Sequence, residues 1–525
     1  MPSIVRTWIG FVAMCFGMTL AVLDIQIVAS SFTTIEASFG VPPDRLSWIQ
    51  TGYLMAEVIA IPLTGWLTRA LSLRWLFAAA TLGFTLASIA CALCTTLPPF
   101  IALRVLQGFC GGMLIPGVFT SVFVMMPEKH RIAATALAGT LAVVAPTIGP
   151  AIGGYLTELY SWHWIFLINL VPGLIVTGLV IGFVRLGEVD LSEFRRIDYL
   201  AIGLAALFLA TLELLLKEGP KYDWQGLLVY ACIPVCLLAS TGAIWRSLFS
   251  PHPFVDLRRF RERTFTLGCV LSFVLGLGLY GSVYLLSLFL GLVREHSPLE
   301  IGTIMIVSGA AQLMIAPLAA WAESKTDARL LTAIGYGLFA AGLIANGFAT
   351  ASTDFDGLFW PQVMRGAAVM ICILPATRLA LDTLAPDQVA DGSALFNLMR
   401  NLGGAIGIAL VDTILEKRTP EIAGALGRRL QAGDAGAARI VGLPVQYFNG
   451  HDMGPVDATM RAIAEPLVRK AALVQSFNEA WLLIGVLFAL SLLVLPFMRH
   501  IRRSAMGPGT DDDVCDPSGA PVRPG

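Results

Sequence analysis

Three charged side chains stand in stretches that otherwise carry almost none: Asp24, Glu57 and Arg104. A charge in a lipid interior costs roughly 2.5–3.5 kcal/mol even on an insertion scale, so each is expected to face a cavity or a partner. Gly17, Asp24 and Ser31 recur every seven residues, close to two helical turns, and form a narrow polar stripe. Gln50, Tyr53, Glu57 and Thr64 share a face of the next apolar run, and Arg104, Gln107, Gly108 and Gly111 follow in a third. Helices running in opposite directions would put Asp24 and Arg104 at equal depth, where they can pair. Such a pair either fixes helix register or works as a proton switch. A carboxylate beside an arginine stays charged, whereas the same carboxylate desolvated without that partner takes up a proton. Glu57 has no cation at its depth. It is either protonated at rest, a seat for a cationic substrate, or a hydrogen-bonded neutral acid. Farther along, Asn397, Arg400, Asn401 and Gly404 share a face, and Arg365 is placed to mirror Arg104.

These residues need long apolar elements to hold them. The chain has 525 residues, 56% hydrophobic and 14% charged, with a mean hydropathy of +0.75, values of a polytopic membrane protein rather than a soluble one. Apolar runs of spanning length lie near 8–31, 47–67, 75–96, 99–125, 132–156, 163–184, 198–216, 226–245, 265–291, 300–322, 329–350, 357–381, 392–415 and 477–498, which gives fourteen transmembrane helices in an all-α fold. The first run is too long for a signal-peptide core and reads as a retained helix. Lys and Arg, among them Arg69, Arg74, Lys129, Arg131, Arg195, Arg258 and Arg499, concentrate at both termini and in the even-numbered connections, so both termini are expected in the cytoplasm. Segment 416–476 then lies outside as a long Ala/Gly-rich connection, either a docking element or a tolerated insertion, and the tail 501–525 is expected to be disordered.

A repeat is visible. Pro62-Leu63-x-x-Trp66 with Arg74-x-Leu76 recurs as Pro317-Leu318-x-x-Trp321 with Arg329-x-Leu331, at a constant offset of 255. The chain therefore divides into a six-helix half over 1–186, two inserted helices and a linker over 187–263, and a second six-helix half over 264–500. Parallel repeats of this kind place a substrate site near mid-membrane between the halves, reached alternately from each side as the halves rock. Residues 145–156 stand out in the fifth run, because Pro146, Gly149, Pro150, Gly153 and Gly154 would normally be avoided there. They are read as a packing kink or as a hinge and seal. The thirteenth run keeps Gly403-x-x-x-Gly407 but no Gly-Pro pair, so close approach accounts for the glycines and leaves the prolines to an asymmetric bend.

Other chemistries find little support. The six histidines fall in connections or flanks, which leaves a carboxylate as proton carrier. Cys91 and Cys94 have a Cys-x-x-Cys spacing without a second pair nearby, so metal or redox chemistry is not expected. The phosphate-binding loop, Gly-x-Ser-x-Gly and His-Glu-x-x-His are absent from the sequence, so neither ATP hydrolysis nor common hydrolase chemistry is indicated and no cofactor is expected. A net charge of −1 with dispersed basic residues gives no sign of nucleic-acid binding.

Five motifs stand out: Gly149-Pro150-Ala151-Ile152-Gly153-Gly154, Arg104-Val105-Leu106-Gln107-Gly108, Leu23-Asp24-Ile25-Gln26-Ile27-Val28, Trp164-Ile165-Phe166-Leu167-Ile168-Asn169 and Asn397-Leu398-Met399-Arg400-Asn401-Leu402-Gly403-Gly404. By these motifs residues 8–500 resemble the major facilitator superfamily, specifically its fourteen-helix drug:proton antiporters of the EmrB/QacA type. The resemblance implies proton-driven export of hydrophobic or amphipathic compounds across a bacterial inner membrane. By the resemblance, Asp24 and Arg104 would couple the proton and the Gly/Pro stretch would bend and seal the interface between the halves; the polar faces themselves add Glu57 as a further proton-coupling candidate and Gln50, Tyr53, Gln107, Asn397, Arg400 and Arg365 as the cavity lining. Export of one metabolite, such as an aromatic acid or a siderophore, is the alternative, and a receptor or scaffold that kept the fold is a third. The family's loop motif Gly-x-Leu-x-Asp-Arg-x-Gly-Arg departs here to Gly65-Trp66-Leu67-Thr68-Arg69-Ala70-Leu71-Ser72-Leu73-Arg74, which suggests that Arg69 or Arg74 pairs with Glu323 or Asp327 as the cytoplasmic gate. Some members act with a periplasmic adaptor and an outer-membrane channel, which segment 416–476 could meet.

Overall fold

A chain that crosses lipid must satisfy its backbone hydrogen bonds internally, and every described segment long enough to cross is helical. The computed structural model describes residues 4–497 apart from 41–42, 186, 188, 251–252, 254, 383, 386–387 and 449–457, and leaves out the side chains of 29–30, 32–33, 36–37, 43–47, 143, 146–147, 150–151, 298, 447 and 458–463. The tail 501–525 with Cys515, and His252, His451 and His500, lie outside the described residues.

Among the described residues, twelve stretches are long and apolar enough to cross a membrane. One of them, Trp48–Ala92, holds two helices that meet at Ser72. Glu128–Leu159 is a further helix of 32 residues. The order is thus α1 (Ile4–Ser30), α2 (43–71), α3 (73–92), α4 (Leu97–Met125), α5 (Glu128–Leu159), α6 (Trp164–Phe183) and α7 (Tyr199–Glu218). It continues with α8 (Leu227–Phe249), α9 (Arg263–Leu292), α10 (Pro298–Lys325), α11 (Ala328–Asn346), α12 (Phe355–Leu381), α13 (Val389–Gln431) and α14 (Ala458–Ser491). This accords with the fourteen crossings expected. The face of the bundle at which α1 starts is called the near face below, and the opposite one the far face.

Helix starts follow local chemistry. Asp198, Asp327 and Asp354 cap α7, α11 and α12 through backbone N–H groups, and Ser297 with Glu300 closes a capping box at α10. Between the first six and last six helices, α5 packs along α10 and α13 along the α2–α3 pair. The two helices between them, α7 and α8, pack on each other and have only 22% of their apolar windows buried, as lipid-facing elements should. Asp198 accepts a hydrogen bond from Arg246 Nε at 2.6 Å and ties the two at the near face.

The expected long connection 416–476 differs from the structure. Instead of ending near 415, α13 continues to Gln431, and α14 begins at Ala458, ahead of its apolar run. The two extensions, bridged by the short helix Ala435–Val441, bury Ile422, Leu426, Leu430, Ala437, Ala438, Val441 and Ala472 together. Ala, Leu, Arg and Glu dominate 415–431, and their helix propensity carries α13 on once a small apolar core covers one side.

At the α2–α3 turn, Ser72 has φ 66° and ψ 153°, a region that glycine occupies without strain and other residues do at a cost of about 1–3 kcal/mol. Its side chain is buried against the turn at Gly187, whose φ is also positive at 69°. Replacing Ser72 with glycine should relieve the strain, less the extra freedom glycine has when unfolded, for a net gain of about 1 kcal/mol. A higher thermal midpoint of the purified S72G protein is expected; an unchanged or lower midpoint would show that the turn is not strained.

Candidate functional site

The polar stripes of α1 and α4 meet, as equal depth predicts. Arg104 Nη1 donates to Asp24 Oδ2 at 2.5 Å and to Gln107 Oε1 at 2.7 Å, and Gln107 Nε2 donates to Asp24 Oδ1 at 3.1 Å. Both charged side chains are fully buried. A third helix completes the carboxylate's shell: Asn169 Nδ2, at the start of α6, donates to Asp24 Oδ1 at 3.0 Å and to Ser88 Oγ on α3 at 3.0 Å. Ser88 in turn donates to the Phe166 carbonyl at 2.9 Å. The Arg104 guanidinium carbon also lies 4.4 Å from the centroid of the Tyr53 ring, whose hydroxyl donates to the Ala21 carbonyl at 3.2 Å. The result is a buried carboxylate held by three donors, beside a cation backed by an aromatic face.

Two glycines allow this packing. A Cβ at Gly108 would collide with the Tyr53 carbonyl, and one at Gly112 would stand 2.5 Å from the Glu57 carbonyl, so α4 lies directly on the α2 backbone. Glu57 is buried there at 6% exposure, with no hydrogen-bond or ion-pair partner among the described residues, and Gln50 is half-buried one face-length away. In the Gly/Pro stretch of α5, a Cβ at Gly149 would stand 2.5 Å from Gln26 Cβ and 3.5 Å from the Leu23 carbonyl. Gly149 therefore brings α5 against α1 at the two residues flanking the turn of Asp24. Gly153 and Gly154 are buried too, but Gly154 has open space beside it, and the side chains of Pro146 and Pro150 lie outside the described residues.

The later helices carry a different set. A Cβ at Gly366 of α12 would strike the Ser308 carbonyl of α10, as one at Gly108 would strike Tyr53, and Tyr53 and Ser308 differ by the repeat offset of 255. The two glycines are 258 apart, so in this register Gln362 stands where Arg104 does and Arg365 stands where Gln107 does. The expected mirroring of Arg104 by Arg365 is thus shifted by almost one turn. Arg365 donates from Nη1 to Ser282 Oγ at 2.9 Å and from Nη2 to Ser308 Oγ at 3.2 Å. On α13, Asn397 Nδ2 donates to the Ser393 carbonyl at 2.8 Å, and Arg400 lies against the rings of Phe119 and Phe396.

Charges tie the near face. Arg69 pairs with Asp391 at the start of α13, and Gly65 leaves room for that carboxylate, since a Cβ there would run into it. Arg259 from the linker after α8 reaches the same Asp391 at 3.8 Å, and Arg69 reaches Glu193 at 3.7 Å. Arg131 at the start of α5 donates to Asp382 at the end of α12 at 2.9 Å. These pairs correct the expected gate. Arg69 turns to Asp391, Arg74 lies 4.9 Å from the centroid of the Trp75 ring, and Glu323 takes Arg378 at 3.3 Å, because α2 abuts the start of α13 rather than the end of α10.

Sequence reasoning missed Asn169, Ser88, Asp391, Asp382 and Arg131 as site residues. Asn169 sat inside a recognised motif, and its contact with Asp24, five helices earlier in the chain, was the information lacking. Among the described residues, no group of three or more His, Cys, Asp and Glu side chains is arranged to hold a metal ion.

Comparison with known proteins agrees with this fold. The family model of the Major Facilitator Superfamily matches residues 14–408. Over 410 residues the chain is 37% identical to the "Colistin resistance protein EmrB" of Acinetobacter baumannii, covering 78% of this chain and 80% of that protein. It is 30% identical to the "Multidrug export protein EmrB" of Escherichia coli strain K12, covering 78% and 80%, and 29% identical to the "Fatty acid resistance protein FarB" of Neisseria gonorrhoeae, covering 79% and 83%. Among solved structures it superposes on the human transporter MFSD10 with a TM-score of 0.57 at 14% identity, covering 94% of this chain and 100% of that one. The xylose symporter XylE gives 0.55 at 13%, covering 93% and 95%.

The near-face tie makes a prediction. R69D and D391R should each destabilise the protein, and the double swap should recover most of the loss, with a coupling of about 1 kcal/mol or more in a double-mutant cycle of thermal unfolding. Additive losses would show that the two residues do not act as a pair.

Proposed function

This chain belongs to the Major Facilitator Superfamily, and we propose that it is a proton-coupled exporter of hydrophobic and amphipathic toxic compounds. The observation that carries this reading is the fully buried Asp24–Arg104 pair, whose carboxylate is held from α1, α4 and α6 while the near face is tied shut by Arg69–Asp391 and Arg131–Asp382. The relatives named for colistin resistance, multidrug export and fatty acid resistance point to a range of toxic amphiphiles rather than one metabolite, so the single-metabolite alternative is not favoured.

In this mechanism the near face is cytoplasmic and the protein sits in the bacterial inner membrane with both termini in the cytoplasm. Rocking of the first six helices against the last six opens one face and then the other. A shift of α4 past α1 draws Arg104 from Asp24 and leaves the carboxylate desolvated, which favours taking a proton from the outside. Return of Arg104 displaces the proton to the cytoplasm. Gly149 keeps α5 on α1 beside this pair, so movement of α5 at its interface with α10 reaches Asp24 directly. Glu57, on the same α2 face as Tyr53, is the second acidic candidate for proton or cation binding. A membrane potential supplies about 2.3 kcal/mol per charge per 100 mV, less than two decades of gradient for one net charge.

The α13 and α14 extensions stand beyond the far face and enclose, with α9, a cavity of about 1340 Å³ lined in part by Leu288, Asp412, Glu416, Leu430 and Lys470. We assign this projection as the place where a periplasmic adaptor and, through it, an outer-membrane channel would dock.

In proteoliposomes with an imposed pH gradient, D24N should reduce drug efflux at least about 10-fold, since an amide can still accept a hydrogen bond from Arg104 but cannot carry a proton. Efflux at the wild-type rate would remove Asp24 from the coupling mechanism.

A further inference from the structure

Among the described residues three arginines lie in the interior, and two of them are matched. Arg104 has Asp24, and Arg365 has the hydroxyls of Ser282 and Ser308. Arg400 differs. It is 5% exposed, no carboxylate pairs with it among the described residues, and its Nε and Nη2 are buried without an acceptor. Its guanidinium carbon lies 5.3 Å from the ring centroid of Phe119 on α4 and 5.1 Å from that of Phe396 on its own helix, so it stands where the first six helices meet the last six. Aromatic faces attract a cation but do not take its in-plane hydrogens. A lone cation in lipid is unfavourable, and its stabilisation is completed by an anion.

The free edge specifies the anion. Nε–H and Nη2–H leave the guanidinium on one side, nearly parallel, at a spacing that matches the two oxygens of a carboxylate. Arg104 has the same two atoms without acceptors, but Asp24 already balances its charge and it is fully buried. Around Arg400 the walls are aromatic. Besides Phe119 and Phe396, the Tyr280 ring lies against Gly404, where a Cβ would stand 2.5 Å from it, and its hydroxyl donates to Asn401 Oδ1 at 3.4 Å.

We propose that Arg400 is the seat for the carboxylate of an amphiphilic organic acid, whose apolar part lies against Phe119, Phe396 and Tyr280. The inference rests on the export reading and names a substrate class for it. The seat contains groups from both sides of the interface, so loading it changes how α4 and α13 meet, which is what a transported ligand must do.

Binding to the purified full-length protein in nanodiscs tests it, with 2-naphthoate and its methyl ester as probes and quenching of tryptophan fluorescence as the readout. The acid should bind roughly 10- to 100-fold tighter than the ester, the range of a desolvated charge-assisted pair. R400Q should bring the acid to the affinity of the ester, and R400K, which keeps the charge without the fork, should fall between. Equal affinities for acid and ester in the wild type, no binding of the acid, or unchanged acid affinity in R400Q would each overturn the proposal. If R400Q does not fold, the wild-type ratio decides alone. The measurement uses no pH gradient, so it can fail while gradient-driven efflux persists, and efflux can fail while the ratio holds.

Discussion

The structure is organised around one ion pair that lipid would not tolerate undone. Breaking a buried pair by removing one partner costs about 3–5 kcal/mol, because the remaining charge has neither water nor counterion. Asp24 and Arg104 avoid that cost with Gln107, Asn169 and Ser88 arranged around them, and with the Tyr53 ring under the guanidinium. Five helices, α1, α2, α3, α4 and α6, contribute side chains at this point, and Gly108 and Gly112 of α4 with Gly149 of the neighbouring α5 are what let the helices meet closely enough. Because Asp24 is held by three donors and the two charges balance each other, the pair is stable as it stands. Its satisfaction depends on the relative position of α1, α4 and α6, and the proposed mechanism uses a small shift of these helices to change the protonation of Asp24.

The last six helices repeat the architecture without repeating the chemistry. Gly366 packs on Ser308 as Gly108 packs on Tyr53, yet the place of Arg104 is held by Gln362, and among the described residues no carboxylate stands opposite. Among the described residues, two buried arginines of that half, Arg365 and Arg400, remain without an acid. The first half thus carries a balanced pair, to which the proposed mechanism gives the proton, and the second carries unbalanced positive charge, to which the proposal gives a carboxylate brought from outside the protein. The near-face pairs Arg69–Asp391 and Arg131–Asp382 join one half to the other and lie partly exposed, where water can compete for them. Ties that water can reach on one side release more readily than the fully buried Asp24–Arg104 pair, as the proposed gate requires.

Much of this was legible from residue type and spacing. Span length fixed the helices, and the heptad spacing of Gly17, Asp24 and Ser31 with the opposed direction of the fourth run was enough to pair Asp24 with Arg104. Asn169 was not found, because an asparagine at a helix start reads as a local cap until the fold brings α6 to α1. Asp391 was not found either: acids at membrane edges are common, and only the contact of α2 with α13 singles it out from Glu323 and Asp327. The continuation of α13 to Gln431 escaped a reading based on apolar length, since that stretch is helical through propensity and a local core rather than through lipid burial.

The central claim is that Asp24 is the group whose protonation follows the movement of Arg104. Infrared difference spectroscopy of the purified protein, recorded with and without a transported amphiphile across a pH series, reads carboxyl protonation directly. The account predicts a protonated-carboxyl band that appears with the amphiphile and is missing in D24N while remaining in E57Q. A band that persists in D24N, or that vanishes only in E57Q, would contradict it.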